Sequence, residues 1–300
     1  MMRRSIVFAL TLATNAFVMH ALATVADAQQ AVSRGWALNA EGAVKVHGDA
    51  GSIRIIGWER DSVTVTGTVA TASRFFSGGD RNGVKMGIET NSGPSKPSDL
   101  VVHVPARARV WVRSASANID VSTFSGELDI STVGGTVHIR STPTELRAES
   151  MNGTLDVTAS PAYLRLKSAT GAIRWNGSSD DVGIITVSGR VVVNASTVHR
   201  ARVESIDGDI RLAAGFAVKS TLEIDTHSGN VTLAVSKGSS ATFEVSARGC
   251  ELFGARQGQD RAFTTALPPR NFYSSIGQLM LGKPSIVVRS YKGYVTATTQ

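Results

Sequence analysis

Between Ile119 and Val193 a pair of apolar residues, separated by one position, recurs every nine residues, and this ladder limits the fold more than any other feature. Its first column reads Ile119, Leu128, Val137, Leu146, Leu155, Leu164, Ile173, Val182 and Val191. The second column, two residues on, reads Val121, Ile130, Ile139, Ala148, Val157, Leu166, Trp175, Ile184 and Val193. The spacing apolar-x-apolar has period two, which marks a short strand with one buried face. Nine residues hold a strand of about five and a turn of about four. A helical crossover needs a dozen or more, so βαβ units are excluded. A glycine stands two residues before every second pair (Gly135, Gly153, Gly171, Gly189), which doubles the period to eighteen. Antiparallel hairpins of constant length leave that alternation unexplained. A coil of two short strands, each pairing in parallel with its equivalent one coil away, explains both periods. The chain therefore reads as all-β, a single-stranded parallel β-helix whose coils stack at ~4.8 Å. The general crossover preference makes a right-handed coil the expected one.

The ladder extends beyond its regular centre. Val44/Val46, Ile53/Ile55 and Val63/Val65 precede it, and Val102/Val104 and Val110/Val112 lead into it. After Val193 the register slips by one residue to Ala201/Val203, then continues through Ile210/Leu212, Leu222/Ile224, Val231/Leu233, Phe243/Val245, Ile286/Val288 and Val295/Ala297. One domain over 29–300 is expected, with inserts at about 70–99 and 255–283. Segments of that length act either as loops with a function or as covers for the unpaired strands at the solenoid ends.

The N-terminus reads as a targeting segment. Arg3 and Arg4 precede a mostly apolar run from Ile6 to Val18, and Ala26-Asp27-Ala28 has the small-x-small pattern of a cleavage site. Residues 1–28 are thus expected to be a signal peptide, with export to the periplasm, the cell surface or the medium. No later stretch is long and apolar enough to cross a bilayer as a helix. Losing Arg3, Arg4 and Asp27 takes the formal charge from +7 to +6. A basic exported protein can meet anionic glycans, lipopolysaccharide or an envelope protein. Nucleic acid is a poor match, because the basic residues are scattered and aromatic residues make up only 6% of the chain. Cys250 is the single cysteine, so no internal disulfide holds the fold.

A hydroxyl column stands five residues before every second apolar pair: Ser114, Thr132, Ser150, Ser168, Thr186, Ser205, Thr226 and again Ser290. The next position carries Ala115, Val133, Met151, Ala169, Val187 and Ile206. The resulting motif is Ser/Thr, apolar, x, Gly, x, apolar, x, apolar. Its glycine suits a left-handed turn, and its hydroxyl suits bonding to neighbouring backbone. Ser131-Thr132-Val133-Gly134-Gly135-Thr136-Val137 and Ser205-Ile206-Asp207-Gly208-Asp209-Ile210 are typical copies. With Gly51-Ser52-Ile53-Arg54-Ile55 and Gly57-Trp58 before them, and Val102-His103-Val104-Pro105 leading in, these motifs resemble the bacterial putative-adhesin family. The resemblance spans roughly Gly42 to the C-terminus. It implies an exported β-strand-repeat solenoid of adhesive character and carries over no catalytic or binding residue.

Residues between the paired apolar positions point outward and stack in columns. One column holds Asp120, His138 and Asp156 on consecutive rungs, ~4.8 Å apart, a spacing within reach of metal or acid–base chemistry. Its two carboxylates stand two rungs, ~10 Å, apart, which is marginally wide for an inverting glycosidase pair. Alternating charge that avoids like-charge stacking explains the same pattern. The other column holds Arg147, Arg165 and Arg202, with Gly183 as a gap, and reads either as a track for an anionic glycan or as ordinary surface arginines. Asp207-Gly208-Asp209 occurs once, without the tandem repeat that calcium-binding β-rolls need. No catalytic residue, metal or cofactor is implied. The leading expectation is a non-enzymatic binding or adhesive protein. The alternatives are a polysaccharide lyase or hydrolase, by analogy with other parallel β-helices, and a periplasmic scaffold or sensor for a protein partner.

Overall fold

The structure is a computed structural model, and it describes residues 29–71, 73–90, 96–235, 241–252, 270–276 and 284–299. The signal segment expected over 1–28 lies outside the described residues, as does most of the second expected insert, of which 270–276 is described. The described chain contains no helix and forms one sheet of 23 strands. The sheet is wound into a β-solenoid with two parallel stacks per coil. In one stack Glu127–Thr132 lies between Arg109–Ser114 and Glu145–Ser150; in the other Val137–Arg140 lies between Asn118–Ser122 and Leu155–Thr158. Leu128 faces Leu146 and Val137 faces Leu155, so one coil is eighteen residues, as the alternation predicts.

The paired apolar residues fill the interior. Ile130, Ile139, Leu146, Leu155, Leu164 and Leu166 are fully buried, and each coil adds two such pairs to one continuous core. Burial of a Val, Leu or Ile side chain is worth about 1.5–3 kcal/mol, which makes this thin, repeated core the main source of cohesion. Trp175 takes a place in the same column, fully buried, with its Nε1–H donating to the Ala159 carbonyl at 3.0 Å.

The register slip after Val193 is a bulge. Gly177 pairs with Ala195 but Ser178 pairs with Thr197, so Ser196 is the extra residue. From Ile173 to Thr226 the two strands of each coil also merge into single long strands, Ile173–Thr186, Val191–Ser205 and Ile210–Thr226.

At both ends the coils are not stacked in chain order. Ala43–Gly48 and Gly51–Trp58 do not end the solenoid: Gly83–Thr90 and Ser98–Pro105 pair outside them, and Arg109–Ser114 and Asn118–Ser122 pair inside. At the other end Ser285–Ser290 and Tyr294–Thr299 are inserted between the coil of 221–235 and the strands Ala241–Ala247 and Gly249–Leu252. The first and last coils are thus both gripped on two sides. Antiparallel strands lie beyond the outer coils: Ser62–Val69 and Gln30–Ala37 over Ser98–Pro105, Ser73–Gly79 over Gly83–Thr90, and Arg270–Ile276 over Ala241–Ala247. In the column that continues from Arg202, Glu223 is therefore followed by Val287 and only then by Glu244.

Candidate binding groove

The hydroxyl column makes one corner of every coil. From Thr132 to Ser290 its side chains are buried, and the Oγ atoms of Ser150, Thr186, Thr226 and Ser290 accept the amide of the glycine three residues on, at 2.8–3.0 Å. The corner therefore carries no row of free nucleophiles. Its glycines owe their identity to something other than the left-handed conformation expected of them. Among the glycines that follow a hydroxyl of the column only Gly135 has a positive φ, +80°. A Cβ on Gly153, Gly171, Gly189, Gly208, Gly229 or Gly293 would come 1.7–2.2 Å from the carbonyl oxygen of the glycine one coil below. Close backbone approach, not turn handedness, excludes a side chain there.

The residue after each hydroxyl is forced outward by the same corner. Val133, Met151, Val187 and Ile206 are 45–55% exposed, and the row ends in His227 and Tyr291, whose rings stack at 5.3 Å and 14°. Single exposed apolar residues need no explanation, but a straight row of them does. Toward its C-terminal end the ridge borders a groove of about 740 Å³ lined by Val187, Ile206, His227 and Tyr291 on the ridge side and by Ile185, Arg202, Glu204, Asp225 and Arg289 on the other.

The polar wall is a lattice of alternating charge. Arg202 pairs with Glu204, lies 3.1 Å from Glu223 and 3.6 Å from Asp225. Arg289, two rungs from Arg202 and next to the rung of Glu223 and Asp225, lies 2.6 Å from Glu223 and 3.1 Å from Asp225. The hydrogen bond from Arg289 is the main reason that the Glu223 carboxyl is held below its ordinary pKa, with the charge of Arg202 adding to it against a smaller effect of burial.

Arg147, Arg165 and Arg202 occupy one column as read from sequence, and each meets a carboxylate. Arg147 lies 3.5 Å from Glu145 and over the Tyr163 ring. Arg165 lies 2.7 Å from Asp181, with its guanidinium 3.9 Å from the centre of the same ring. The Gly183 gap is filled by Arg165 itself, whose Cδ would be 2.6 Å from a Cβ at that position. Of the three, only Arg202 lines the groove. Asp120, His138 and Asp156 do stand on consecutive rungs. His138 Nδ1 is 3.7 Å from Asp156, beyond hydrogen-bond distance, and makes no hydrogen bond. Among the described residues no three His, Cys, Asp or Glu side chains are placed to share a metal ion. Cys250 is buried. Sequence reasoning missed His227 and Tyr291. The signal was present, since each follows a hydroxyl of the column, but they lie 64 residues apart and only the inserted last coil brings them together.

Among the described residues no helix is long and apolar enough to cross a membrane. The model of the Toastrack DUF4097 family matches residues 42–254. Among solved structures the chain is similar to a putative adhesin from Bacteroides fragilis at 10% identity, covering 91% of this chain and 99% of that one, with a TM-score of 0.42. A putative adhesin from Parabacteroides merdae is similar at 11% identity, covering 90% and 96%, with a TM-score of 0.38. A putative cell adhesion protein from Clostridium sporogenes is similar at 10% identity, covering 90% and 100%, with a TM-score of 0.22. No curated protein matches the chain.

Proposed function

The chain belongs to the Toastrack DUF4097 family, and on that premise we propose that it is an exported, non-enzymatic binding protein of the adhesin kind that holds an envelope or cell-surface partner along its ridge and groove. One observation carries the reading: Val133, Met151, Val187 and Ile206, with the smaller Ala169 between Met151 and Val187, form a straight apolar row that the fold turns to solvent, where a solitary solenoid would place polar side chains. Export follows from the Arg3-Arg4 start, the apolar run and the Ala26-Asp27-Ala28 pattern.

The charged surroundings favour binding over hydrolysis. A glycosidase's general acid needs a carboxyl whose pKa is raised, whereas Arg289 lowers that of Glu223. The arginine column offers little unpaired positive charge to an anionic glycan, because Arg147, Arg165 and Arg202 each already face a carboxylate.

The test uses the protein as its host secretes it, coupled to latex beads and mixed with intact cells of the same host. Coated beads should adhere well above uncoated ones, and beads coated with the Met151→Asp/Ile206→Asp variant should not. Both substituted positions are about half exposed, so the variant should keep its melting temperature. Equal adherence of coated and uncoated beads, or of wild type and variant, overturns the reading.

A further inference from the structure

The groove's two walls together select a class of ligand. Its apolar wall ends in an aromatic stack: Tyr291 has one face against His227 and is still 52% exposed, so much of the ring is open to the groove. Its polar wall holds two arginines and two carboxylates, Arg202 and Arg289 beside Glu204 and Asp225, and Glu223, outside the lining, pairs with both arginines. With two positive charges against two negative ones on the lining and a third carboxylate beside them, a polyanion gains no net attraction there. Hydrogen-bonding capacity, by contrast, is abundant. A guanidinium offers five N–H donors and a carboxylate about four lone-pair sites, so the ion pairs leave donors and acceptors side by side at the surface. A hydroxyl, which donates and accepts at once, is the group that uses both.

The groove passes through five successive rungs, at Ile185, Glu204, Asp225, Arg289 and Ser246, which is a run of ~19 Å. Its volume of about 740 Å³ lies in the range of ligand-binding clefts. A ligand that is extended, uncharged and rich in hydroxyls, and that also has an apolar face to lay on an aromatic ring, is an oligosaccharide of neutral sugars. We infer that the groove formed by Tyr291, His227, Ile206, Arg202, Asp225 and Arg289 is a binding site for a neutral oligosaccharide, with Tyr291 as its stacking platform and the ion lattice as its hydroxyl-reading wall. This rests on the ridge-and-groove face being the binding face, and names what it takes.

Calorimetric titration tests it, with cellohexaose, maltohexaose, mannohexaose and chitohexaose as neutral probes and hexagalacturonate as the acidic one. At least one neutral hexasaccharide should bind with a Kd at or below about 1 mM. Its affinity should change less than about twofold between about 0.05 and 0.5 M NaCl, because no net charge is screened. Tyr291→Ala should weaken it about tenfold or more, as the loss of a stacking platform worth about 1.4 kcal/mol does. Tyr291→Phe should keep it, since the ring and not the hydroxyl is used. Binding of none of the four neutral probes, binding of hexagalacturonate alone, or binding unmoved by Tyr291→Ala each overturns the inference. Beads that adhere to cells while no neutral saccharide binds would sink the saccharide site and leave the adhesive reading standing. Saccharide binding without adherence would do the reverse.

Discussion

Gly153 lies so close above Gly135 that a Cβ on it would stand 1.7 Å from the Gly135 carbonyl oxygen. The same contact repeats up the corner, with Gly171 over Gly153 at 2.0 Å and Gly189 over Gly171 at 2.1 Å. The obstacle is backbone, which no rotamer change relieves. Gly171→Ala should therefore destabilise by about 3 kcal/mol, the upper end of overpacking, or prevent folding. Gly134→Ala is the control, because its Cβ would meet nothing nearer than 3.9 Å. Denaturant titration of the two variants checks the contrast, and equal midpoints would refute it.

Thr186 is buried and its Oγ1 accepts the Gly189 amide at 3.0 Å. Thr186→Val keeps the shape and removes the acceptor, leaving a buried N–H without its partner. The expected cost is about 1–3 kcal/mol, with Thr186→Ser costing less because the hydroxyl remains. If valine is as stable as serine at this position, the hydroxyl column has some other role.

These two positions also show what the sequence makes legible. The nine-residue spacing and the eighteen-residue alternation follow from strand periodicity and corner chemistry, both local, so the solenoid can be read off directly. Why the glycines are needed cannot, because the clash is with a backbone eighteen residues away, and Gly134 and Gly135 look alike in sequence. The ends are hidden for a related reason. Any apolar-x-apolar strand can pair with any other, and nothing local says that Ile286/Val288 stacks on Leu222/Ile224 rather than beyond Phe243/Val245. The groove inherits that ambiguity, since its aromatic stack exists only because Tyr291 is brought beside His227.

Asp181 gives a pH-dependent contribution. Burial pulls its carboxyl upward, but hydrogen bonds from Arg165 and Arg200 and the charges of both outweigh this and leave it below the ordinary value of 3.8. A carboxyl lowered in the folded state stabilises above its unfolded pKa, and the contribution is lost as pH falls through the folded value. Asp181→Asn should cost about 1–2 kcal/mol at pH 7, allowing for the partial exposure of the pair. The difference from wild type should shrink as pH falls below the ordinary carboxylate range. Melting temperatures of both proteins across pH 2–8 decide it; a gap that stays constant across the range would show that the carboxylate's charge is not what stabilises.

The inserted last coil makes the C-terminus a structural keystone for residues that precede it. Ser285–Ser290 pairs with 221–226 on one side and with 242–246 on the other, while Tyr294–Thr299 joins 231–235 to 249–252. Stability in a solenoid is the sum of each coil and its interfaces with its neighbours, so the consequence of removing a coil depends on its place in the stack. Deleting residues 284–300 should remove two interfaces, not one, and release Ala241–Ala247 and Gly249–Leu252 from the solenoid. Hydrogen exchange should show amide protection lost across 241–252 while Glu127–Thr132, Glu145–Ser150 and Tyr163–Ser168 stay protected. If 241–252 remains protected in the truncated chain, it can dock on the coil of 221–235 unaided and the last coil is not what holds it.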